Sequence, residues 1–518
     1  MNTAEIMTRQ MRLSELLAED VAINDAMDVE LTGIEIDSRL IDSGDLFLAY
    51  KGTSHDGRDF VDDVIAKGAK AVLVEADEEW SEITIRDGVP VIPVEKLTAR
   101  IGKIAARFFD YPAATFWLIG ITGTNGKTSC CQFVGQCLSM LGYKTGISGT
   151  LGHGIYGQPY TNDESGPGTT PDAISVQKIF EEVRIQNGEA MVMEVSSHGL
   201  SQNRVNTSEF DVAVFTNLSR DHLDYHGGMK AYGDEKRKLF INPHLKIAVI
   251  NMDDMFSAKI LNSLSKNVKS FTYSVHNPKA DVFPRALEFK SSGFALDVVT
   301  PWGQGRFSST LAGSFNVSNI LAVLTTVMAS EANKPDFDFN NVLEKVAAVS
   351  PVKGRMEILG DFPVSVVVDY AHTPDGLKNA LAALRQHAKG DIWCVFGCGG
   401  DRDKGKRPLM AEIAEQMASR LIITDDNPRN EDSMAIISQI KSGLSDTSNT
   451  VIEHDRAKAI DYAISNANEG DIVLIAGKGH EEYQDIGGNR MVFSDVKQAR
   501  VSLNNRFAEQ NQNNNTAG

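Results

Sequence analysis

The segment Gly123-Thr124-Asn125-Gly126-Lys127-Thr128 follows an apolar run at residues 116–121 and precedes a helix-compatible stretch at residues 129–141. A strand, a glycine-rich turn and a helix N-terminus in this order leave several backbone N–H groups pointing at one spot, where phosphate oxygens can accept them. Lys127 supplies a mobile positive charge for the β- and γ-phosphates, and the Thr128 hydroxyl is a natural Mg²⁺ ligand. The segment therefore predicts a site for ATP or GTP.

The turn departs from the strict phosphate-loop pattern, because Ile121 stands five positions before Gly126 and the glycines lie at positions 120 and 123. The alternative is a glycine-rich turn with a solvated lysine. The strand-turn-helix context favours the nucleotide site. The pattern indicates phosphate binding and leaves the reaction open.

The composition is that of an ordinary globular protein, with 518 residues of which 42% are hydrophobic and 23% charged. This length predicts roughly three to four domains. The formal net charge of -18 argues against sequence-independent nucleic-acid binding, because such binding needs a basic surface. Anionic ligands must therefore be held by local groups of donors.

The sequence indicates neither a membrane span nor a disulfide framework. No run approaches the roughly 18 consecutive apolar residues of a span, and the first residues lack the pattern of an export signal. The five cysteines suggest no disulfide framework, so we expect a cytoplasmic protein without membrane insertion. Cys394 and Cys398 could form a metal pair, but their place on and after an apolar strand favours packing.

Alternating strand-like and helix-like runs predict an α/β protein of three domains. The predicted bounds are residues 1–110, 111–350 and 351–509, and residues 111–115 look like a linker. Apolar strands separated by helices predict a mostly parallel sheet covered on both faces in the middle domain. The third domain repeats this alternation independently. The polar tail at residues 510–518 is predicted to be disordered.

Polar side chains cluster where the predicted strands end, and ligands collect at the carboxyl ends of parallel strands. The strands are predicted at residues 45–50, 71–75 and 89–94 in the first domain, 190–195, 212–215 and 246–250 in the second, and 364–368, 392–396, 421–424 and 472–476 in the third.

Three residues near these strand ends are candidates for chemistry. Glu194 is placed as a metal ligand beside the phosphate turn, the alternative being a surface acid at a strand end. His222 lies in a segment rich in ligand-type groups, where zinc is conceivable but the phosphate turn favours magnesium. Lys236 lies in a charge run typical of a solvated helix face, so the pattern alone leaves its role open.

The chain resembles the Mur ligases, ATP-dependent enzymes that add amino acids to the UDP-muramoyl peptide precursor of peptidoglycan. The motifs that carry the resemblance are at residues 123–128, 194–198, 216–218, 221–224, 315–319, 354–357, 369–374 and 477–481. They span nearly the whole chain in the expected order. The resemblance implies an N-terminal UDP-binding domain, a central ATPase domain and a C-terminal Rossmann-like domain that closes over the nucleotide.

The resemblance also implies roles for individual residues in ATP and metal binding. Lys236 fits the family's carbamylated lysine, an acid that helps to hold a second Mg²⁺. A carbamate forms from an uncharged amine and CO₂, so nearby cations or metal must favour the product. The implied ATP contacts are Gly123, Thr124, Asn125, Gly126, Lys127, Thr128, Asn316, Arg355 and Asp369; the implied metal ligands are Thr128, Glu194, His222 and Lys236; and the implied catalytic residues are Lys127, Glu194, His222 and Lys236.

The UDP-muramoyl peptide would be bound by residues of the first two domains. The positions that match the family are Ser38, Thr53, Ser54, His55, Thr169, Thr170, Ser196, Gln202 and Arg204. The pattern departs at Gly168, where an asparagine is often found.

The segment at residues 426–429 resembles the signature of family members that use meso-diaminopimelate. A guanidinium can grip the second carboxylate of this amino acid in a bidentate pair, although the segment alone could be a capped turn. The implied contacts are Arg402, Asp426, Asn427, Pro428, Arg429, Gly477 and Glu481.

The implied reaction joins meso-diaminopimelate to UDP-MurNAc-L-Ala-D-Glu through an acyl phosphate, with ATP as co-substrate, and we expect a monomer. Two other functions are considered. Folylpolyglutamate synthetase shares the phosphate turn and the ligation chemistry but lacks the first domain and the 426–429 segment. A nucleotide-gated binding protein would use ATP for closure alone, but the positions needed for phosphoryl transfer are all occupied.

Overall fold

Three α/β units follow one another along the chain, and each is built around its own sheet. The computed structural model describes residues 9–516 except 53–54, 162–167, 291–292, 361–363 and 386. Apolar clusters cover both faces of each of the three large sheets. The predicted α/β class with three domains is therefore confirmed.

The first unit contains a five-stranded sheet of order β3-β4-β5-β7-β6, parallel except for the β6–β7 pair. Alternate residues of its central strand pack on opposite faces, which explains why that strand is apolar throughout. The strands are β1 (Met11–Arg12), β2 (Glu30–Leu31), β3 (Gly33–Glu35), β4 (Asp45–Ala49), β5 (Ala71–Glu75), β6 (Thr84–Arg86) and β7 (Val89–Val94), and the helices are α1 (Leu13–Leu16), α2 (Val61–Ala66) and α3 (Leu97–Phe108).

The second unit contains a seven-stranded sheet of order β10-β9-β11-β8-β12-β13-β14, in which only the β9–β10 pair is antiparallel. Its strands are β8 (Trp117–Thr122), β9 (Thr145–Gly149), β10 (Gly152–Ile155), β11 (Ala190–Glu194), β12 (Val212–Phe215), β13 (Ile247–Asn251) and β14 (Lys269–Tyr273). Its helices are α4 (Lys127–Met140), α5 (Ala173–Ile185), α6 (Ser197–Ser201), α7 (Leu223–His226), α8 (Met229–Arg237), α9 (Ser257–Leu261), α10 (Ser314–Glu331) and α11 (Phe339–Ala347).

A separate antiparallel sheet within the second unit is absent from the sequence prediction. It consists of β15 (Phe283–Phe289), β16 (Phe294–Thr300) and β17 (Gly303–Ser309). The first strand buries none of its side chains and the last buries only Phe307 and Ser309, so their hydrophobic alternation is weak. Only β16 is largely buried.

The third unit contains a six-stranded sheet of order β18-β19-β23-β20-β21-β22, parallel except for the β18–β19 pair. Its strands are β18 (Glu357–Gly360), β19 (Ser365–Asp369), β20 (Ile392–Phe396), β21 (Arg420–Ile423), β22 (Thr450–Ile452) and β23 (Ile472–Ala476), and β24 (Tyr483–Ile486) and β25 (Asn489–Val492) form a hairpin. Its helices are α12 (Pro374–Arg385), α13 (Lys406–Met417), α14 (Ser433–Lys441), α15 (Arg456–Asn466) and α16 (Asp495–Thr516).

The expected linker and the C-terminal segment differ from the sequence expectations. The expected linker contains a 3₁₀ turn at Pro112–Thr115, which buries Pro112 and Ala113. The last helix continues to Thr516, so residues 510–516, for which the sequence predicts disorder, are described as helical. The buried residues Ala499 and Leu503 anchor the preceding turns of this helix on the third sheet, and its hydrogen bonding continues past them.

Within the described part of the chain, no helix has the length and apolar character needed to cross a membrane. All five cysteines are buried and free. Cys394 and Cys398 pack in the core of the third unit, and burial raises the pKa of each thiol to about 12.

Candidate active site

A cavity of about 1760 Å³ opens between the second and third units, at the carboxyl ends of their parallel strands. Its walls include the phosphate turn after β8 and the segments that follow β11, β19, β20, β21 and β23. Of the residues singled out from the sequence, it is lined by Thr124, Asn125, Gly126, Lys127, Thr128, Thr169, Glu194, Ser196, Gln202, Arg204, His222, Lys236, Arg355, Asp369, Arg402, Asp426, Asn427, Arg429, Gly477 and Glu481.

The remaining candidates lie elsewhere. Ser38, His55, Gly123, Thr170, Asn316 and Pro428 are not among the lining residues of this cavity. Thr53 and Ser54 lie outside the described residues. Most of the predicted ATP and amino-acid residues thus converge, whereas Ser38 and His55, the described first-unit residues predicted to bind the UDP group, do not line this space.

The phosphate turn is held by close packing against the segment after β12. A side chain at Gly123 would place its Cβ 1.8 Å from the Thr216 hydroxyl oxygen, so only glycine fits there. The N–H groups of Thr124 and Asn125 donate to the backbone and side-chain oxygens of Asn217, at 2.8 and 2.9 Å. The N–H groups that begin α4 have no partner within the helix and remain for an anion.

The Lys127 ammonium folds back over its own turn. Its Nζ donates to the carbonyl oxygens of Gly123 and Thr124, at 3.0 and 2.9 Å. Burial lowers the pKa of Lys127, while the carboxylates of Glu194 and Asp221 act in the opposite direction. A phosphate entering the turn would give this amine a better-matched anionic partner.

Glu194 and Arg355 meet at the Thr128 hydroxyl group. The Glu194 carboxylate is 2% exposed and accepts hydrogen bonds from Thr128 Oγ1 at 2.8 Å and from the N–H and hydroxyl of Thr150 at 2.8 and 3.1 Å. Arg355, which follows the third unit's first residues, donates to the same Thr128 Oγ1 at 2.9 Å. The two units therefore join at the residue predicted to bind metal.

Lys236 is a buried amine beside the phosphate turn. It lies near the end of α8, is 1% exposed, and its Nζ donates to the Gly123 carbonyl oxygen at 2.7 Å. Burial, and then the nearby Lys127 ammonium, hold the pKa of Lys236 well below its usual range. The solvated helix face suggested by the local charge run is therefore wrong for this side chain.

Asp221 is an important residue that the sequence reasoning did not single out. It is 4% exposed and lies 3.6 Å from Lys406 Nζ, with the His372 and His222 imidazoles at 3.7 and 3.2 Å. Burial alone would raise the pKa of Asp221, but these cationic and hydrogen-bonding partners lower it well below its usual range. The signal in the sequence was its place in the polar segment that follows β12, but two of its partners come from the third unit.

Three histidines of the second unit gather next to this carboxylate. The rings of His198 and His222 are 4.8 Å apart, and those of His198 and His226 are 5.4 Å apart. Burial lowers the pKa of His222 to about 3 and that of His198 to about 4. His222 is therefore an uncharged imidazole at neutral pH, the form that binds a metal.

Asp369 and Asn316 each have a hydrogen-bond partner within the protein. Asp369 Oδ2 accepts the Met356 N–H at 2.8 Å, and burial raises the pKa of this carboxyl group although Arg355 opposes the rise. The Asn316 amide donates to the Ala312 carbonyl oxygen at 2.7 Å and lines a smaller adjoining cavity of about 220 Å³.

The residues predicted for the muramoyl peptide form a connected group beside β11. The Thr170 hydroxyl donates to the Glu194 carbonyl oxygen and accepts the Ser196 N–H, both at 2.9 Å. The Arg204 guanidinium donates to the Thr170 carbonyl oxygen at 2.6 Å and to Gln202 Oε1 at 2.7 Å. Thr170 therefore positions its neighbours, while Arg204 and Gln202 face the cavity.

Two guanidinium groups of the third unit line the cavity where the sequence predicts the amino-acid site. The Arg402 and Arg429 side chains donate to the backbone carbonyl oxygens of Asp401 at 2.9 Å and Gly400 at 2.8 Å. Burial, followed by the positive charge of Arg429, lowers the pKa of Arg402. Two neighbouring cations bonded to carbonyl groups form a site suited to a carboxylate.

Lys478, which the sequence reasoning did not single out, holds residues of the predicted amino-acid site in place. It is fully buried, and its Nζ donates to Asn427 Oδ1 at 2.9 Å and Glu481 Oε2 at 3.0 Å. Asn427 Nδ2 donates to the same Glu481 oxygen at 2.9 Å. Lys478 thus fixes two predicted contacts and offsets part of their negative charge.

No three His, Cys, Asp or Glu side chains within the described ranges are grouped closely enough to hold a metal ion by themselves. Mg²⁺ commonly takes one or two protein oxygens and completes its shell with water and substrate phosphates. The paired oxygens of Thr128 and Glu194 beside the phosphate turn fit this pattern. A zinc site of three protein ligands does not.

The phosphate turn, the acid at the end of β11 and the third unit across the cavity are the features of a three-domain, nucleotide-dependent ligase. Three protein-family models match the chain in order: "Mur ligase family, catalytic domain" at residues 30–109, "Mur ligase middle domain" at 121–327 and "Mur ligase, glutamate ligase domain" at 354–479. The chain belongs to the Mur ligase family, and it is an ATP-dependent, amide-forming ligase.

The similar proteins include several named UDP-N-acetylmuramoyl-L-alanyl-D-glutamate–2,6-diaminopimelate ligase. The one from Coxiella burnetii is 45% identical over 497 residues, 95% of this chain and 99% of its own. The one from Pseudomonas aeruginosa is 46% identical over 478 residues, 92% of this chain and 96% of its own. A solved structure of the same name has a TM-score of 0.66 and 34% identity, covering 96% of this chain and 99% of that chain.

More distant structures share the fold alone. MurF from Acinetobacter baumannii has a TM-score of 0.65 at 20% identity and covers 90% of this chain and 96% of its own. The folylpolyglutamate synthase of Mycobacterium tuberculosis has a TM-score of 0.61 at 20% identity but covers 73% of this chain. The folylpolyglutamate alternative is therefore the poorer match.

Proposed function

We infer that this chain adds meso-2,6-diaminopimelate to UDP-MurNAc-L-Ala-D-Glu in the synthesis of the peptidoglycan precursor. The observation that carries this inference is the shared cavity, which is lined both by the phosphate turn and by the paired guanidinium groups of Arg402 and Arg429. Diaminopimelate has a second carboxylate that suits this cationic pair. The high identity to ligases named for this substrate supports the same choice.

The reaction that we propose has two steps. The γ-carboxylate of the D-glutamate attacks the γ-phosphorus of ATP, the bond to the β-γ bridging oxygen breaks, and ADP leaves an acyl phosphate behind. The uncharged amine of diaminopimelate then attacks the acyl carbon, and the tetrahedral intermediate expels phosphate as the amide forms. Holding the three substrates in one cavity lowers the entropic part of both barriers.

The side chains around the turn are arranged for the first step. Lys127 leaves the carbonyl oxygens of its own turn and binds the transferring phosphate, while the first N–H groups of α4 hold the other phosphate oxygens. Arg355 reaches the same place from the third unit, at 2.9 Å from Thr128 Oγ1. Phosphoryl transfer therefore requires the second and third units to be closed over the nucleotide.

Mg²⁺ fits beside these groups. Thr128 and Glu194 would hold one ion, and His222 with a carbamate on Lys236 would hold a second. When bound, the ions supply positive charge that offsets the charge of the phosphate oxygens.

The surroundings of Lys236 favour the carbamate. Its buried amine has a lowered pKa, so the uncharged form that reacts with CO₂ is more accessible than on an exposed lysine. The carbamate anion would then lie beside the Lys127 ammonium, which already acts on Lys236 through its charge. The positive charge of Lys127 would stabilise this anion.

We propose that the chain works in the cytoplasm and as a monomer. Both ends of the cavity are formed by the same chain, so the site is complete without a second copy. The contacts of Ser38, Thr53, Ser54 and His55 with the UDP group remain part of this proposal.

The decisive experiment is a ligation assay with purified protein, ATP, Mg²⁺, UDP-MurNAc-L-Ala-D-Glu and either diaminopimelate or L-lysine. We expect ADP release that requires both the muramoyl dipeptide and diaminopimelate, with a tripeptide product identified by mass spectrometry and little product from lysine. No ATP consumption with all components present would refute the proposal. Phosphate release that is indifferent to both acceptors would favour a nucleotide-gated binding protein instead.

A further inference from the structure

One face of the hairpin formed by β24 and β25 turns towards the amino-acid end of the cavity. Tyr483, Asp485 and Arg490 line the cavity. Strand side chains alternate between faces, and the register pairs Asp485 with Arg490, so these three residues share one face. Met491, at the alternate position, is 58% exposed on the other face. The hairpin is therefore a wall of the amino-acid site.

The backbone of the hairpin is bonded to the turn that carries the predicted amino-acid contacts. The Asp485 N–H donates to Asn427 Oδ1 at 3.0 Å. The Arg429 N–H donates to the Asp485 carbonyl oxygen at 3.0 Å, and the Gly487 N–H donates to the Arg429 carbonyl oxygen at 2.7 Å. Asp485 is thus positioned by the same residues that would contact the substrate.

One carboxylate oxygen of Asp485 lacks a partner. Asp485 Oδ1 is buried and accepts no hydrogen bond from any residue that the structure describes. A buried acceptor left in this state is destabilising, so a ligand donor that reached it would remove this penalty. Arg490, its cross-strand neighbour, instead places its guanidinium over the Tyr483 ring, 4.8 Å from the ring centroid.

The other acid of this site has less capacity for a ligand. Glu481 Oε2 already accepts hydrogen bonds from Lys478 Nζ and Asn427 Nδ2, at 3.0 and 2.9 Å. An ammonium group has three N–H donors and needs several acceptors once it leaves water. A second carboxylate beside Glu481 would supply further acceptors.

We propose that Asp485 is a specificity-determining residue that accepts a hydrogen bond from the ammonium group at the far end of diaminopimelate, the one that does not react. This inference rests on the proposed function, because it assigns the partner of a group found on that substrate. A substrate without the second ammonium leaves Asp485 Oδ1 unpaired in the closed site. Unpaired buried polar groups are the strongest source of discrimination against such analogues.

The test compares two amino acids and three variants. Diaminopimelate is compared with 2-aminopimelate, which keeps both carboxylates and one amine but lacks the second ammonium. Asp485→Asn removes the charge and keeps the shape, Asp485→Glu keeps the charge, and Met491→Ala on the outer face of the hairpin is the control. The KM for each amino acid and kcat are measured with ATP and the muramoyl dipeptide saturating.

We expect Asp485→Asn to raise the KM for diaminopimelate roughly tenfold or more, with kcat and the KM for 2-aminopimelate changed by less than about twofold. Asp485→Glu should stay closer to the unmodified protein than Asp485→Asn does, and Met491→Ala should match the unmodified protein. An unchanged KM for diaminopimelate overturns the inference. So does an equal rise for both amino acids, because a purely structural role of the hairpin would affect both.

Two further outcomes are decisive. If both Asp485 variants unfold, the two amino acids are compared with the unmodified protein alone. A KM for 2-aminopimelate at least about tenfold above that for diaminopimelate supports the contact, and equal values overturn it. If the unmodified protein ligates no diaminopimelate, the proposed function fails and this inference fails with it. Normal ligation with unaffected Asp485 variants removes the inference alone.

Discussion

At the scale of single residues, the chemistry depends on charged groups held out of water. Lys236 and Glu194 are buried and Lys127 is half-buried around one turn, and each has defined hydrogen-bond partners there. Burial makes both amines easier to deprotonate than a surface lysine. The same desolvation strengthens their attraction to phosphate or carbamate once such an anion is present.

Lys236→Ala removes the amine that would carry the carbamate, so we expect ligation to fall by at least about a hundredfold, comparable to the loss of one preorganised charged group. Short carboxylates such as formate or acetate should restore part of the activity, because they can replace the carbamate anion. Steady-state rates are measured with and without about 100 mM carboxylate, in solutions of matched ionic strength. Full activity in the variant without any added acid would exclude the carbamate role.

A matched control is available on the same stretch of chain. Lys238 is 45% exposed and pairs with Glu235 at 2.6 Å, so Lys238→Ala removes a lysine of the same segment without touching the turn. We expect activity within about twofold of the unmodified protein and no response to carboxylates.

Arg429→Ala should weaken the use of diaminopimelate far more than that of ATP. The loss of a charge-assisted contact predicts a KM for diaminopimelate roughly 10- to 100-fold higher, with the KM for ATP within about twofold. Arg420→Ala is the control, because Arg420 donates to Asn449 Oδ1 at 2.6 Å on the exposed part of β21. Equal changes in both KM values for Arg429→Ala would contradict a role in amino-acid binding.

At the scale of elements, α15 and α16 of the third unit are joined by an ion pair inside the protein. Arg456 and Asp495 are both 0% exposed in their side chains, with Nε–Oδ1 and Nη2–Oδ2 distances of 2.7 and 2.8 Å. Arg456 Nη2 also donates to the Ala476 carbonyl oxygen at 2.9 Å. The pair therefore supports the end of β23, directly before Gly477 of the candidate site.

Asp495→Ala should strongly destabilise the third unit, because it leaves the Arg456 guanidinium buried without its counter-ion. Breaking such a pair costs about 3–5 kcal/mol, and we expect a corresponding shift of the urea midpoint for this unit. Lys458→Ala is the control on α15, since Lys458 and its partner Asp455 are 73% and 48% exposed and such pairs contribute less than about 1 kcal/mol. Equal midpoints for the two variants would show that the buried pair adds no stability.

At the scale of the whole molecule, the site exists only where the second and third units meet. Asn125 Nδ2 donates to Asp375 Oδ2 at 3.2 Å, and the Arg220 guanidinium contacts the Asp403 carboxylate at 3.2 and 3.3 Å. A Cβ at Gly405 would lie 2.2 Å from Arg220 Nη2, so the guanidinium covers that glycine closely. These contacts hold the two units in the arrangement in which Arg355 reaches Thr128.

Arg220→Ala should make closure less favourable without altering any single substrate pocket. Arg220 is 42% exposed, so we expect a modest loss of about two- to fivefold in kcat/KM, similar for all three substrates and smaller at high salt. Steady-state kinetics at low and high ionic strength measure it. Arg285→Ala, which breaks an ion pair between β15 and β16 within the second unit, should have no such effect. A change confined to one substrate would indicate direct binding instead of closure.

Much of the fold could be predicted, because hydrophobic periodicity and turn-forming residues are local features of the sequence. The predicted bounds of β5, β7, β12, β20 and β23 agree with the structure, since each is a short apolar run that is buried on both faces. The sheet β15–β17 was missed because the apolar residues of β15 do not alternate regularly and β17 has few of them. The candidate site was predicted mainly through motifs whose residues lie next to one another in the sequence.

The amino-acid sequence by itself determined the phosphate turn, the order of strands and helices, and the family to which the chain belongs. The tertiary structure alone decided that Asp221 faces Lys406, that Lys478 holds Asn427 and Glu481, and that Asp485 Oδ1 is left without a partner among the described residues. Backbone preferences and periodicity act over a few neighbouring residues, whereas burial and charge pairing depend on segments far apart in the chain that only the packed units bring together.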